Sequence, residues 1–380
     1  MSHRSDLRSP VAPAAPAVRY EVATRAGRIT AGAAVVACLA LVALPLWGDA
    51  ADARFVIEVI CYIVLAQMWN LLAGYGGLVS IGQQGFVGLG AYAILVFAQH
   101  WGLNPFWSIP ISGIVVALCA VPIAKLVMRL RGGYFAVGTW VVAEVMRISF
   151  SNLSVLGGGS GQSLTVMTQI ERATRENVTY WIACALLIAT IGGMYALLRS
   201  RFGLALMAVR DSEAAAESQG IDVTAMKFRV FVLAALGCGL VGALYYLSVL
   251  RVAPNASFDL NWVVVAIFIV VIGGIGTMEG PIVGAAVFFL LRWLLADYGS
   301  VYWIAMGVVA IAVMVLFPKG LWGMVRGRTG IDLFPLQMRL AVEAEPIAPR
   351  PAGDSLASSI RRESMPSAPF TASRSSGADS

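Results

Sequence analysis

The chain is short of the residues from which most active sites are built. Its 380 residues include two histidines, His3 and His100, and no Ser/His/Asp, Cys/His or paired-carboxylate arrangement is recognisable. The five cysteines form no CxxC pair and have no histidine at metal-ligand spacing, which argues against a zinc site and a disulfide framework. We therefore predict that the protein is not an enzyme and has neither a catalytic residue nor a metal site.

Lysine is scarce as well. The three lysines are Lys125, Lys227 and Lys319, and none of them has a glycine before it and a serine or threonine after it. A phosphate-binding GxxxxGK[ST] loop requires that arrangement. The chain therefore lacks a nucleotide-binding loop of its own, and we predict that it binds no cofactor.

Charged residues make up 13% of the chain and hydrophobic residues 59%. The apolar residues form long runs, and roughly 20 such residues in a helix cross the ~30 Å hydrocarbon core of a bilayer. A backbone in lipid must satisfy its own hydrogen bonds, so each run reads as a helix. We predict an all-α integral membrane protein, a polytopic bundle of about ten (8–10) transmembrane helices, at 30–48, 55–73, 83–99, 107–128, 133–151, 178–198, 229–250, 262–278, 281–297 and 302–318.

The chain divides into a transmembrane domain, 29–325, and two polar ends, 1–28 and 326–380, which are rich in Ala, Pro, Ser and Arg and predicted to be largely disordered. The first apolar run follows a long basic leader and is followed at once by further spans, which favours an uncleaved helix over a signal peptide. With ten spans, four basic clusters fall on one side of the membrane, which predicts that both termini are cytoplasmic. The net charge of +6 suits an anionic inner leaflet and gives no reason to expect nucleic acid.

One polar stretch interrupts the apolar pattern. Residues 199–229 carry nine charged side chains, and burying them at about 2.5–3.5 kcal/mol each would cost on the order of 25 kcal/mol, so this loop lies outside the hydrocarbon. Its sequence "ALMAVRDSEAAAESQ" is dense in helix formers and ends at Gly220, which suits a left-handed cap. Asp222 or Thr224 can then cap the helix that re-enters the membrane.

This loop is either a solvated helix of mixed charge or a docking surface for a partner. Its alanines give a thin face that another protein can approach closely, with charges around it. The residues that we predict to form such a surface are Arg210, Asp211, Glu213, Ala214, Ala215, Glu217 and Gly220.

A few polar residues lie inside apolar runs, where charge is costly and usually faces the bundle interior. Glu144 and Arg147 are one helical turn apart and either form an internal ion pair or face a translocation path. Gln67, Asn70, Gln83 and Gln84 are the other candidates for the path.

Glycines mark two further features. Gly82, Gly85, Gly88 and Gly90 permit either close helix packing or a broken helix near a path. The segment "IGGIGTMEGP" predicts a helix break, which we interpret as a tight cytoplasmic turn with Glu279 as a loop acid.

The stretch "RDSEAAAESQGIDV" resembles the EAA-type loop of ABC importer permeases, in which Glu-Ala-Ala and a later glycine form a coupling helix on the ATPase. The matching residues are Glu213, Ala214, Ala215 and Gly220. Further pieces along about 55–325 resemble the LivM-type branched-chain amino acid permease family, including "WNLLAGYGGLVSIGQQGFVGLGAY", "MRLRGGYFAVGTWVVAEVMRI", "GGGSGQS", "VIGGIGTMEGPIVGAAV" and "LFPKGLWG".

The resemblance implies an ABC importer permease in a bacterial inner membrane, with ATP bound and hydrolysed by two separate ATPase subunits. It also implies a second permease subunit and a periplasmic substrate-binding protein. Urea, amides or other amino acids remain open as substrates. An ion-coupled secondary transporter is the alternative of another class, and a non-transporting membrane scaffold is the second rival.

Overall fold

The computed structural model describes residues 19–21, 49–295, 299, 301–317, 319–329 and 339–341. The first predicted span, 30–48, lies outside these residues, as does most of both predicted tails. The described residues fall into two compact units, one with 19–21 and 339–341 and the other with those from 49 to 329.

The first of these units contains one described element, an antiparallel strand pair. Arg19–Glu21 pairs with Arg339–Ala341, and Tyr20 lies opposite Leu340. These six residues fall in segments that the sequence predicted to be disordered. The hydrogen bonds between two strands join backbone N–H and C=O groups, whatever the side chains are. A segment with few apolar residues can therefore still form a strand pair.

The second unit is helical. In the described part of the chain its helices are α1 (Ala50–Asn70), α2 (Gln83–Ile94), α3 (Pro105–Val127), α4 (Gly133–Ser151), α5 (Arg172–Arg199), α6 (Arg201–Asp211), α7 (Glu213–Ser218), α8 (Val223–Val249), α9 (Pro254–Ser257), α10 (Asn261–Gly273), α11 (Gly280–Leu295), α12 (Val301–Leu316) and α13 (Gly320–Thr329). A two-residue strand pair joins Gln162–Ser163 to Arg251–Val252. The last helix, α13, extends four residues into the tail expected to be disordered from 326.

Six segments among the described residues are long and apolar enough to cross a membrane: Ala51–Tyr75, Pro105–Val127, Arg172–Arg199, Val223–Val249, Pro254–Gly273 and Trp303–Arg328. The apolar helix Gly280–Leu295 is shorter. An all-helical, multi-pass architecture is therefore confirmed, while the count of ten stays a prediction. The predicted spans 83–99 and 133–151 also form helices, but these are not among the six. The first is rich in glycine, and the second carries Glu144 and Arg147.

The centre of the bundle is α8, which packs against α1, α2 and α3. The helices approach closely at glycines: a Cβ atom on Gly90 would collide with the carbonyl of Gly239, and one on Gly242 with the carbonyl of Val87. Gly85 and Gly88 likewise meet Ala143 and Phe258. Of the two roles expected for Gly85, Gly88 and Gly90, the structure shows close helix packing.

The connection from α1 to α2 is irregular. A π-helical turn, Leu71–Tyr75, ends α1, and the chain then runs without helix to Gln83. Around Gly82 the chain lies against Thr139, and Gly85 lies against Ala143. Ala143 is ten residues into α4, about 15 Å along it at 1.5 Å per residue. The N-terminus of α2 is therefore level with the middle of α4, not with its end.

Candidate functional site

A cavity of about 220 Å³ opens at the surface of the chain beside α4. It is lined by Gln84, at the start of α2, and by three residues of α4: Trp140, Glu144 and Arg147. The remaining lining residues lie between α8 and α10 and are Asn255, Phe258, Asp259 and Leu260. On α4 the spacing of 140, 144 and 147 places these side chains on one helical face. Three of the six path candidates, Gln84, Glu144 and Arg147, thus share this cavity.

Glu144 and Arg147 form an ion pair, one of the two arrangements that the sequence left open. The Arg147 Nε donates to both carboxylate oxygens of Glu144 at 3.0 Å, and its Nη2 lies 2.5 Å from Oε1. The Nη1 atom donates to Asn255 Oδ1 at 2.7 Å. The side chains are 42% and 31% exposed, so the pair both fixes α4 to the 253–260 stretch and presents charge to the cavity.

The start of α2 contributes buried amides. Gln83 and Gln84 are 1% and 2% exposed. Within the described part of the chain, both amide atoms of Gln83 and the Oε1 of Gln84 have no hydrogen-bond partner. Buried polar groups are normally paired, and the first N–H groups of a helix also lack intrahelical partners. Gln84 therefore brings an unpaired amide oxygen to the lining, whereas Gln83 is buried beside it and does not line the cavity.

The rest of the lining is a second carboxylate, Asp259, and the apolar side chains of Trp140, Phe258 and Leu260. The cavity therefore combines two carboxylates, a guanidinium and amides with an aromatic and aliphatic wall. Such a lining suits a small solute with charges of both signs and an apolar part. Trp140, Asn255 and Asp259 were not among the site residues predicted from sequence. The spacing of Trp140 from Glu144 was the signal available for the first of them.

Two path candidates, Gln67 and Asn70, lie elsewhere. The Gln67 Nε2 donates to the Met278 carbonyl at 2.7 Å. The Asn70 Nδ2 donates to the Thr277 carbonyl at 2.8 Å, and its Oδ1 accepts from the Gly276 N–H at 2.8 Å. Both amides tie the end of α1 to the connection between α10 and α11 and do not line the cavity.

That connection is the tight turn predicted from "IGGIGTMEGP". Gly274 and Gly276 have positive φ values, 129° and 75°, and Thr277 Oγ1 donates to the Gly274 carbonyl and accepts from the Gly280 N–H. Glu279 is 7% exposed. Glu279 lies in the loop, as expected from the sequence, but the turn folds back onto the bundle and buries this side chain.

The polar stretch 199–229, called the hairpin from here on, has the turn and the helix cap that its sequence indicated. Gly220 has a φ of 81°, and the Asp222 carboxylate caps α8 by accepting from Ala225 N–H at 2.9 Å. The expected single helix is divided at Ser212, which is extended and accepts from Ala215 N–H to cap α7. The division separates α6 from the Glu-Ala-Ala segment.

The short helix α7 presents an exposed face. Glu213, Ala214, Ala215 and Glu217 are exposed, while Ala216 is buried against the protein. Lys227 Nζ lies 2.6 Å from Glu213 Oε1 and ties α7 to α8. Arg210, at the end of α6, pairs with Asp211 and donates from Nη1 to the Gly74 carbonyl at 3.1 Å. The hairpin is thus held to two parts of the bundle and leaves small residues accessible.

Most of the chain matches a family of known proteins. The family described as "Branched-chain amino acid transport system / permease component" matches residues 53–318, a range that includes the cavity and the hairpin. No solved structure matches the chain.

Curated relatives match over most of their length. The high-affinity branched-chain amino acid transport system permease protein LivM of Salmonella typhimurium is 29% identical over 292 residues, 70% of this chain and 68% of that protein. LivM of Escherichia coli is 28% identical, with the same coverage. A probable branched-chain amino acid transport permease protein LivH of Methanocaldococcus jannaschii is 22% identical over 64% of this chain and 82% of that protein.

Proposed function

Because the chain belongs to the family of permease components of branched-chain amino acid transport systems, we propose that it is the membrane subunit of an ATP-driven importer for branched-chain amino acids. The observation that carries this proposal is the family match over 53–318, which extends from α1 to α12. The apolar helices supply the multi-pass scaffold that such a subunit needs.

The energy for transport comes from partners, two ATPase subunits that dock on the 210–223 loop through the exposed side chains of α7. Arg210, at the edge of this loop, directs Nη1 to the Gly74 carbonyl of the bundle instead. The exposed alanines of α7 allow close approach, and the acidic residues around them offer charged contacts. Docking of this kind requires the hairpin to be cytoplasmic. The cost of burying its charges and the four basic clusters on one side of a ten-span topology support that orientation, with both termini cytoplasmic.

The substrate crosses at the cavity beside α4. Glu144 and Arg147 are partly exposed on the outside of the single chain, and each would cost about 2.5–3.5 kcal/mol if it faced the middle of a bilayer. Protein or water must therefore cover them. A second permease subunit fits this requirement, with the path between the two subunits and a periplasmic binding protein delivering the solute.

The lining favours a zwitterion among the substrates open to the family. Urea and simple amides have no net charges to match a carboxylate and a guanidinium, whereas an amino acid has one of each sign. The apolar wall of Trp140, Phe258 and Leu260 suits a branched aliphatic side chain. Other apolar amino acids meet the same requirements.

The test is to reconstitute the chain with its second permease, the ATPases and the binding protein encoded beside it. We expect leucine uptake to require ATP and to stop when ATP is depleted while a proton gradient is kept. Glu213→Arg, which reverses an exposed charge on α7, should reduce retention of the ATPases in detergent. Glu171→Arg, at an exposed acid before α5, is the matched control and should retain them.

Uptake that persists without ATP but with a proton gradient would identify a secondary transporter. A Glu213→Arg chain that retains the ATPases and transports normally would remove the proposed docking surface.

A further inference from the structure

The hairpin contacts the bundle at a point far from it in sequence. The Arg210 guanidinium donates from Nη1 to the carbonyl of Gly74, in the π-helical turn that ends α1, at 3.1 Å. Its Nε donates to Asp211 Oδ1 at 2.9 Å, which leaves Nη1 aimed at α1. Carbonyls at the end of a helix lack intrahelical partners and carry partial negative charge, so a guanidinium is favoured there.

The same turn of α1 is joined to the α10–α11 turn. Asn70 accepts from Gly276 N–H and donates to the Thr277 carbonyl, both at 2.8 Å. One helical turn earlier, Gln67 donates to the Met278 carbonyl at 2.7 Å. Three consecutive residues of the α10–α11 turn are thus held by two amides of α1.

The end of α1 and the α10–α11 turn are in close contact. A Cβ atom on Gly74 would collide with Asn70 Oδ1 and would lie 2.6 Å from the Gly276 backbone nitrogen. A Cβ atom on Gly276 would lie 3.5 Å from Arg210 Nη1. The hairpin, the end of α1 and the α10–α11 turn therefore meet within one contiguous network of backbone and side-chain contacts.

We propose that Arg210 is a positioning residue that transmits movement of the hairpin to the end of α1 and, through Asn70, to the turn 274–280. The inference rests on the proposed function, in which the ATPases move the hairpin. α5 and α8 follow the hairpin through the chain itself, whereas α1, α10 and α11 are not continuous with it. Arg210 gives the hairpin a direct contact with the end of α1 and, through Asn70, a connection to the turn between α10 and α11. Helices that are not continuous with the hairpin therefore respond to the same ATPase event as α5 and α8.

The test uses the complete reconstituted importer and two conservative variants. Arg210→Gln removes the charged link, and Asn70→Leu keeps the approximate size of the side chain but removes its hydrogen bonds to Gly276 and Thr277 without adding a charge. Arg201→Gln, at an exposed arginine that begins α6, is the matched control. For each variant the measurements are ATPase retention, ATP hydrolysis stimulated by the binding protein, and leucine taken up per ATP hydrolysed.

We expect both variants to retain the ATPases and to hydrolyse ATP, while uptake per ATP falls roughly tenfold, within the usual range of coupling between sites. The control should behave as the unmodified protein does. Asn70 does not touch the hairpin, so its variant separates transmission from docking. It also keeps the test usable if Arg210→Gln fails to fold.

Hydrogen exchange at the amides of 274–280 gives a readout that a merely structural role would not move. In the unmodified importer, nucleotide binding should change exchange both in the hairpin and in this turn. In Arg210→Gln the hairpin should still respond and the turn should not.

The possible failures are distinguishable. If the unmodified chain does not retain ATPases or transports without ATP, the proposed function is wrong. If it transports but Arg210→Gln keeps normal uptake per ATP, or the turn still responds to nucleotide, the transmission role is wrong. Loss of ATPase retention in Arg210→Gln would also overturn the inference, because Arg210 would then be a docking residue.

Discussion

At the residue scale, the Glu144–Arg147 pair presents charges of both signs to the cavity. The two side chains neutralise each other through three contacts of 2.5–3.0 Å, and Asn255 holds the free side of the guanidinium. Guanidinium N–H groups beyond these contacts, and carboxylate lone pairs, remain for a ligand. The pair can therefore stabilise helix packing and recognise a zwitterion at once, and the two roles need separate tests.

A charge swap separates them. Glu144→Arg with Arg147→Glu keeps an ion pair at the same spacing on α4 but reverses its polarity, so assembly and stability should be close to those of the unmodified chain. Glu144→Gln should lower uptake at limiting leucine by roughly tenfold or more, because hydrogen bonds to charged groups contribute about 1.5–3 kcal/mol. The measurement is uptake by the reconstituted importer, with thermal unfolding in detergent as the stability control.

If the swapped chain restores transport fully, the pair serves packing alone. If it restores stability without transport, the orientation of the charges matters to the solute.

At the element scale, the fit of α2 against α8 depends on glycines that leave no room for a side chain. A Cβ atom on Gly242 would collide with the Val87 carbonyl, which is a backbone group that cannot rotate away. Gly193 in α5 has nothing within 4 Å of the same position. The same substitution therefore has opposite expected consequences at the two sites.

Gly242→Ala should destabilise the chain by about 1–3 kcal/mol, as overpacking does in tight cores. Gly193→Ala should be neutral or stabilising by about 0.5–1 kcal/mol, because alanine loses less backbone entropy in a helix. Thermal unfolding of the two variants in one detergent measures the difference. Equal midpoints of thermal unfolding would contradict this prediction. They would show that α2 and α8 can move apart enough to accommodate a Cβ atom at position 242.

Local features of these elements were predictable from sequence, and long-range ones were not. Gly220 and Asp222 act through their own backbone and the next turn, so the hairpin shape followed from residue type and spacing. Gln67 and Asn70 find their partners 211 and 207 residues away. Their polarity inside an apolar run indicated a special role, but only the packing of α1 against α10 reveals that this role is to hold a turn.

At the scale of the whole molecule, the orientation of the chain in the membrane determines on which sides of the membrane the hairpin and the 157–163 segment lie. Helices α2, α4 and α8 lie side by side, and the hairpin precedes α8, whereas the Gly157–Gly161 stretch follows α4. If the hairpin is cytoplasmic, α8 runs outward from it, and the 157–163 segment, paired with Arg251–Val252 beyond the far end of α8, faces the periplasm. The cavity then lies between the proposed ATPase-docking loop and the proposed surface for delivery of the solute.

Labelling from each side of the membrane tests this arrangement. A cysteine at Ser218 in α7 should react with a membrane-impermeant maleimide only after the inner face is opened, and a cysteine at Ser160 should react from outside in intact cells. The unmodified chain measures the background: Cys61, Cys184 and Cys238 are buried, Cys119 is exposed on the apolar helix α3, and Cys38 lies outside the described residues. Reaction of Ser218→Cys from outside would place the hairpin where no ATPase can reach it. The coupling mechanism and the ten-span topology would then both be wrong, because each requires this loop to face the cytoplasm.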